Sequence, residues 1–166
     1  MSVLEDGVVT LEDLELPDRE RMERGPFVVI ECVQEIPCNP CVESCPQKAI
    51  TIQPSVNDVP RVDFDLCTGC GLCIAHCPGL AIFVVHQNHD ASRALLSLPY
   101  EFFPLPSVGE TVDVYDRAGI KIGEGEIVRI RNAKSQDRTP VVFLAVDKPL
   151  AMQARHFKRK KAVESK

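Results

Sequence analysis

Short apolar runs, separated by polar, glycine or proline residues, follow one another along most of this chain. Residues 27–30 and 81–85 are continuous apolar runs rich in β-branched residues, and residues 141–146 form another. Residues 111–115 instead alternate polar and apolar side chains. Because successive side chains of a strand point to opposite faces, the alternation predicts a strand, and the short apolar runs rich in β-branched residues predict strands as well. The pattern predicts a molecule dominated by short strands.

The same pattern divides the chain into segments of different character. Between residues 91 and 155, short strands are predicted at 111–115, 120–122, 127–130 and 141–146, with a further one within 94–103 and a break at 123–125. Such spacing is typical of a small antiparallel barrel or sandwich. Four segments are predicted: an N-terminal docking arm (1–25), a cysteine-bearing domain (26–90), a small β-rich docking domain (91–155) and a basic tail (156–166).

The cysteine-bearing segment contains two related motifs. Residues 67–78, CTGCGLCIAHCP, have the spacing C-x2-C-x2-C-x3-C-P, with which a tight glycine-rich loop wraps a [4Fe–4S] cluster. A second copy lies 32 residues upstream, because Cys38, Cys41, Cys45 and Pro46 precede Cys70, Cys73, Cys77 and Pro78 by that offset. Matches at one fixed offset predict an internal duplication.

One position breaks the repeat. The upstream counterpart of Cys67 is Glu35, and the nearest other cysteine is Cys32, three residues earlier. We predict Cys32 as the displaced ligand on a longer loop. The alternatives are a three-iron cluster at this site, or an unusual cluster with Glu35 as an oxygen ligand.

Residues 26–85 resemble the bacterial-type ferredoxins that bind two [4Fe–4S] clusters, in which the fourth cysteine of each motif ligates the other cluster. The resemblance implies an α+β fold with a duplicated two-cluster domain, in which runs 27–30 and 81–85 are antiparallel neighbours. A helix is expected after the first Cys-Pro pair, at 46–50, and a shorter turn at 78–81; residues 56–62 would form a connecting turn and strand edge. The implied ligand sets are Cys32, Cys38, Cys41 and Cys77 for one cluster, and Cys67, Cys70, Cys73 and Cys45 for the other.

Two other uses of eight cysteines were weighed against iron. Disulfides are disfavoured because tight C-x2-C pairs in a chain without a secretory signal favour metal binding. Zinc ribbons also use C-x2-C pairs but rarely the triple C-x2-C-x2-C run or the C-x3-C-P ending. The cysteine spacing therefore favours iron–sulfur clusters over disulfides and over zinc sites.

Composition and charge bear on four further classes: nucleic-acid-binding, membrane-spanning, secreted and catalytic proteins. A formal net charge of −5 gives no general reason to expect nucleic-acid binding. No stretch approaches the roughly 20 apolar residues of a membrane span. Met1 is followed by acidic, polar sequence rather than a signal peptide, so we expect a cytoplasmic protein. Outside the cysteines we find no catalytic constellation, and we expect an electron carrier rather than a catalyst.

A narrower resemblance concerns residues that are not ligands. Residues 25–41, which include GPFVVIEC and QEIPCNPC, and residues 77–82, CPGLAI, resemble ferredoxin-like subunits of FAD-dependent proline, hydroxyproline and opine dehydrogenases. This resemblance implies a hetero-oligomer in which a flavin-containing subunit oxidises an amine or amino acid and the iron–sulfur subunit relays single electrons. The alternative is a free, diffusible ferredoxin that serves other oxidoreductases.

Overall fold

The computed structural model describes residues 3–136 and 139–160 of the chain. Within these ranges the helices are α1 (Val3–Asp6), α2 (Arg19–Arg24), α3 (Pro40–Glu43) and α4 (Leu72–His76). The strands are β1 (Phe27–Ile30), β2 (Ile50–Thr51), β3 (Arg61–Val62), β4 (Ile82–His86), β5 (Arg93–Pro99), β6 (Thr111–Tyr115), β7 (Lys121–Arg131), β8 (Val141–Asp147) and β9 (His156–Arg159). Among the described residues, no helix has the length and apolar character needed to cross a bilayer.

Most of the strands form one antiparallel sheet in the order β1-β4-β5-β8-β7-β6-β9. Strand β1 pairs with β4, from Phe27 opposite Val85 to Ile30 opposite Ile82. The predicted antiparallel pairing of these two apolar runs is therefore confirmed. The short strands β2 and β3 form a separate two-stranded ribbon, in which Ile50 lies opposite Val62.

Strands β1 and β4 are buried on both faces, which explains their continuous apolar sequences. One face carries Val28, Ile30, Ile82 and Val84, which belong to the same hydrophobic cluster as Cys41, Cys45 and Cys73. The other face carries Phe27, Val29, Phe83 and Val85, which pack with Val112, Val114 and Phe157 of β6 and β9. The sheet thus curls around one core and presents its opposite face to the cysteine loops.

The sheet is continuous between the cysteine-bearing segment and the C-terminal strands. The sequence-based boundary at residue 90 falls in the turn between β4 and β5, and these two strands are paired from Val84 opposite Ser97 to His86 opposite Leu95. Strand β5 then pairs with β8 over its whole length. The C-terminal strands consequently extend the sheet on which the cysteine loops lie.

The predicted break at 123–125 is wrong, because Gly123 and Gly125 lie inside the continuous strand β7. A Cβ at Gly125 would lie 2.8 Å from the Ala145 carbonyl oxygen, and one at Gly123 would lie 2.7 Å from Leu150 Cδ1. The glycines therefore permit close packing of extended backbone. In sequence they look like turn residues, because close approach between distant segments leaves no local signal.

The predicted helix after the first Cys-Pro pair is also wrong. Helices α3 and α4 lie before the two Cys-Pro pairs, and the chain after each pair turns and enters a strand. Lys48 and Leu80, at equivalent places in these turns, have φ angles of 55° and 52°. Left-handed backbone of this kind interrupts a right-handed helix. Each turn instead directs the chain from the fourth cysteine into β2 or β4.

The N-terminal arm packs on the protein's own core. Leu14, Leu16 and Met22 contact the cluster that contains Phe27 and Val29. The predicted basic tail begins within β9, which pairs with β6 from His156 opposite Tyr115 to Arg159 opposite Val112. The end of that tail, residues 161–166, lies outside the described residues.

Candidate metal centre

The eight cysteines line two separate cavities, four to each. The cysteines of the first cavity are Cys32, Cys38, Cys41 and Cys77. The rest of its wall is mostly apolar and includes Ile30, Ile36, Ile52, Ile82, Pro40, Pro60 and Pro78. Four thiols around a small apolar space form a donor set suited to a soft, thiolate-bound metal group.

The cysteines of the second cavity are Cys45, Cys67, Cys70 and Cys73. Small and apolar residues complete the wall, among them Val28, Ala49, Ile50, Gly69 and Gly71. Both groups of four have the composition that the sequence motifs predict. In each group, three cysteines come from one motif and the fourth comes from the other.

The repeat at 32 residues recurs in the backbone geometry of the two loops. Cys45 N–H donates to the Val42 carbonyl and Cys77 N–H donates to the Ile74 carbonyl, each at 3.3 Å. Helices α3 and α4 begin at the equivalent residues Pro40 and Leu72. The two motifs therefore place their third and fourth cysteines on similar helical turns.

Backbone donors to sulfur follow the same repeat. Ala49 N–H donates to Cys45 Sγ at 3.3 Å, and Ala81 N–H donates to Cys77 Sγ at 3.4 Å. Backbone hydrogen bonds to sulfur are among the features that tune an iron–sulfur site. The fourth cysteines are thus oriented into the cavity of the opposite motif by equivalent turns.

The loop of the second motif depends on glycine. Gly69 has a φ of 64°, and a Cβ at this position would lie 2.6 Å from the Pro26 carbonyl carbon and oxygen. Gly71 has a φ of 70° and precedes the first residue of α4. The loop between Cys67 and Cys73 can therefore close around its cavity only with residues that lack a side chain at these points.

Burial and neighbouring thiols raise the pKa of several cysteines. The pKa of Cys73 is raised to about 12, first by desolvation and then by Cys70, Cys67 and Cys45. The pKa of Cys41 is raised to about 11 by desolvation and by Cys77 and Cys38, and that of Cys32 is raised by desolvation and Cys77. Four thiolates in one apolar cavity repel one another. A cationic metal group offsets this repulsion, because its positive charge faces the thiolates that form when the cysteines lose their protons on binding it.

A single metal ion and a cluster place different demands on four cysteines. Among the described residues, no three His, Cys, Asp or Glu side chains converge as one metal ion requires. A [4Fe–4S] cluster offers a separate iron atom to each cysteine, so its four ligands surround the group without meeting at one point. Two cavities that are each surrounded by four cysteines fit this second arrangement.

Of the two candidate ligands in the first motif, Cys32 and Glu35, only Cys32 lies in the wall of the first cavity. Cys32 is partly buried and lines the first cavity beside Cys38 and Cys41. Glu35 is exposed and is not among the residues that line this cavity. The arrangement favours Cys32 over Glu35 as the fourth donor.

Two arginines that the sequence gives no reason to select hold the second loop. Arg21 of α2 donates to the Cys67 carbonyl at 2.6 Å, and Arg131 at the end of β7 donates to the Gly71 carbonyl at 2.7 Å. These contacts join residues 46 and 60 positions apart along the chain. No local motif marks them, because a guanidinium that binds backbone carbonyls needs no particular partner side chain.

A buried ion network borders the first loop. Glu31, which precedes Cys32, accepts from Arg117 Nη2 at 2.7 Å and from Arg155 Nε at 2.5 Å. The three side chains are 8%, 11% and 4% exposed respectively. They connect the first cysteine loop to the turn after β6 and to the segment before β9.

Comparisons with known proteins agree with this geometry. Residues 31–81 match the family described as the 4Fe-4S dicluster domain. The ferredoxin-type protein NapF of Escherichia coli is 39% identical over 51 residues, which cover 30% of this chain and 31% of that protein. NapF of Haemophilus influenzae is 37% identical over 59 residues, 33% of this chain and 34% of that protein.

An uncharacterised ferredoxin of Methanocaldococcus jannaschii is 34% identical over 86 residues, which cover 51% of this chain and 52% of that protein. The chain thus spans 31% to 52% of the length of these relatives. No solved structure matches the chain. The similarity identifies a ferredoxin-type 4Fe–4S domain in residues 31–81.

Proposed function

We propose that this ferredoxin-type iron–sulfur protein relays single electrons through two [4Fe–4S] clusters, one in each four-cysteine cavity. Cys32, Cys38, Cys41 and Cys77 would hold the first cluster, and Cys67, Cys70, Cys73 and Cys45 would hold the second. The division of all eight cysteines into two groups of four is the observation that carries the proposal. Each cluster, when bound, supplies a centre that gains or loses one electron.

The chain's own residues set the conditions for that exchange. The walls of both cavities are mostly apolar, and the Ala49 and Ala81 amides donate to the sulfurs of Cys45 and Cys77. Burial, hydrogen bonds to sulfur and local charge are the terms that fix the reduction potential of such clusters. The repeated turns give the two cavities similar hydrogen bonds to cysteine sulfur, so differences in reduction potential would come from the surrounding charges.

Access for a redox partner is best at the second motif. Cys70 is exposed, and the neighbouring Leu66 and Leu72 are 49% and 42% exposed. Exposed apolar side chains beside a redox group favour brief contact with another protein surface. We propose this loop as the place where electrons leave or enter the second cavity.

For the partner, we propose a flavin-containing amino-acid or amine dehydrogenase subunit in a hetero-oligomer. Support comes from the resemblance of residues 25–41 and 77–82 to the iron–sulfur subunits of such complexes. A reduced flavin carries two electrons, and two one-electron centres in one small domain accept them in sequence. A free, diffusible ferredoxin is the second candidate, favoured by relatives that are themselves described as ferredoxins or ferredoxin-type proteins.

Anaerobic affinity purification of the full chain from its native cells tests both statements. Iron and sulfide in equal amounts, about eight of each per chain, would support two [4Fe–4S] clusters. Stoichiometric flavin with larger subunits in the same eluate would support the dehydrogenase complex, and substrates could then be screened by flavin bleaching. A brown eluate without flavin or partner would favour the free ferredoxin, and a chain without iron would contradict the relay itself.

A further inference from the structure

The charged side chains that line or bind the two cavities are different. Arg21 and Arg131 both bind the loop of the second cavity, and each donates to carbonyl oxygens of that loop. Asp58 lines the first cavity, whereas the wall of the second includes no acidic side chain among the described residues. Because the added electron is negative, positive surroundings favour reduction and negative surroundings oppose it.

Arg131 contacts the exposed side of the second loop. Its Nη2 donates to the Gly71 carbonyl at 2.7 Å, and its Nη1 lies 3.3 Å from the Cys70 carbonyl. Its Nε is buried and has no hydrogen-bond partner among the described residues. The guanidinium is therefore fixed by two neighbouring carbonyls of a ligand-bearing loop.

Arg21 contacts the same loop from the opposite end. It is 9% exposed and donates to the carbonyls of Phe64, Pro26 and Cys67 at 2.7, 3.0 and 2.6 Å. Within residues 3–136 and 139–160, no carboxylate forms an ion pair with Arg21 or Arg131. Both guanidinium groups therefore lie beside the second cavity without a carboxylate in direct contact.

Acidic side chains line the first cavity and the groove next to it. Besides Asp58, the groove that shares Ile30 and Cys32 with this cavity is lined by Asp13 and Glu15. Arg61 also lines that groove, so its charge is partly balanced. The Glu31 network holds one carboxylate and two guanidinium groups, so it adds net positive charge beside the first loop and partly offsets these acidic side chains.

We propose that Arg131 is a positioning residue that holds the 70–71 backbone and gives the second cluster the higher reduction potential of the two. The inference rests on the proposed two-cluster relay. In that relay the first cluster would take one electron from the donor, and the second cluster would pass it through the exposed Cys70 side to an external one-electron acceptor. Each step moves one electron and forms no covalent bond.

The test is an anaerobic potentiometric titration of the intact protein, followed by electron paramagnetic resonance, with iron and sulfide measured on each variant. Arg131→Gln removes the charge and the fork of donors. We expect this variant to lower the upper midpoint potential by about 59 mV, which corresponds to a roughly tenfold change in the reduced-to-oxidised ratio for one electron. The lower midpoint potential should stay unchanged. Arg131→Lys keeps the charge and should retain most of the potential.

Arg129→Gln is the matched control, because Arg129 lies on the same strand, is exposed and sits 3.6 Å over the Phe143 ring instead of on the loop. We expect a much smaller shift from this variant. Asp58→Asn tests the assignment independently, because it should raise only the lower midpoint. It keeps an oxygen that can accept from the Ser55 amide, which donates to Asp58 at 2.9 Å.

Several results would overturn the inference. They are an unchanged upper midpoint in Arg131→Gln, equal shifts from Arg129→Gln and Arg131→Gln, or an Asp58→Asn effect on the upper midpoint. If Arg131→Gln loses iron, Asp58→Asn still decides which cluster has the lower potential. A wild-type protein without iron would instead refute the proposed function, so the two failures are distinguishable.

Discussion

At the scale of single residues, the site depends on positions where a cysteine or a glycine has no substitute. The cysteines supply the donors, and the glycines let the backbone approach its neighbours. Gly69 and Gly119 both have positive φ angles, 64° and 78°, but a Cβ at Gly119 would meet no atom within 4 Å. Alanine substitutions at these two glycines therefore distinguish the effect of backbone strain from the effect of a steric clash.

Gly69→Ala is expected to destabilise the protein more than Gly119→Ala does. Both variants pay the strain of a left-handed alanine, roughly 1 kcal/mol, and only the first forces a Cβ against the Pro26 backbone. We expect an additional loss of about 1–3 kcal/mol in the free energy of unfolding. Chemical denaturation of the two variants measures the difference, and equal losses would show that the loop relaxes freely away from Pro26.

Cys70→Ala is expected to lose the second cluster and about half of the bound iron, because Cys70 is one of only four donors at that cavity. Thr68→Ala is the control, since Thr68 lines the same cavity without offering a thiolate. Iron and sulfide analysis after anaerobic purification measures both variants. Retention of the parent's iron content in Cys70→Ala would contradict the ligand assignment.

At the scale of secondary-structure elements, the loops and strands are joined by a few contacts over long sequence distances. The Glu31 network connects the loop after β1 with the turn after β6 and the segment before β9. Arg117 also donates to the Met152 carbonyl at 2.9 Å, and Arg155 donates to the Ala154 carbonyl at 2.6 Å. The network therefore fixes three elements to one buried carboxylate.

Glu31→Gln is expected to lower the free energy of unfolding by about 3 kcal/mol, because it leaves two buried guanidinium groups side by side without a countercharge. Glu124→Gln is the control, since the Glu124–Lys160 pair is 53% and 43% exposed and should contribute little. Thermal or chemical unfolding compares the two. A loss in Glu31→Gln no larger than that in the control would show that the network does not connect the elements energetically.

Strand β9 should make stability depend on pH. The pKa of His156 is lowered by burial and then by Lys158, so the folded state favours the neutral ring. A lowered folded pKa gives stability that is present above the unfolded value, about 6.5, and is lost as the pH falls below it. Wild type should therefore lose more stability than His156→Gln between about pH 7.5 and pH 5.5. Parallel pH curves for the two proteins would refute this.

At the scale of the whole molecule, one curled sheet separates two cores. The cysteine loops pack on one face with Val28 and Val84, and the other face encloses Leu96, Ile127 and Leu144. The second core contains no cysteine among the described residues. The two halves of the structure therefore differ in how far they would depend on bound metal.

Removal of iron by a chelator is expected to open the cysteine loops while the C-terminal strands persist. The loops lose the group that neutralises their thiolates, whereas strands β5–β8 keep their own hydrogen bonds and core. Hydrogen exchange on the iron-depleted protein should show rapid exchange across residues 31–81 and protection in β5 and β8. Uniform loss of protection would show that the sheet also requires the clusters.

Much of the site could be predicted from the chain because its information is local. The spacing of Cys67, Cys70 and Cys73 and its repeat at 32 residues are short-range features, and the resemblance that they carry implies the two groups of cysteines that line the cavities. The apolar runs 27–30 and 81–85 likewise predict strands, and the same resemblance implies their antiparallel pairing. Local spacing and periodicity need no knowledge of the rest of the fold.

Other features were decided only by tertiary structure, because they arise where distant segments meet. Gly125 belongs to a strand because the Ala145 carbonyl approaches it, and Arg21 and Arg131 serve the second loop because α2 and β7 end beside it. The joining of the cysteine-bearing segment to the C-terminal strands depends on the pairing of β4 with β5 and β5 with β8. The sequence by itself determined the cysteine motifs and their repeat, and the tertiary structure decided the charges and backbone contacts around them, since those depend on proximity rather than order.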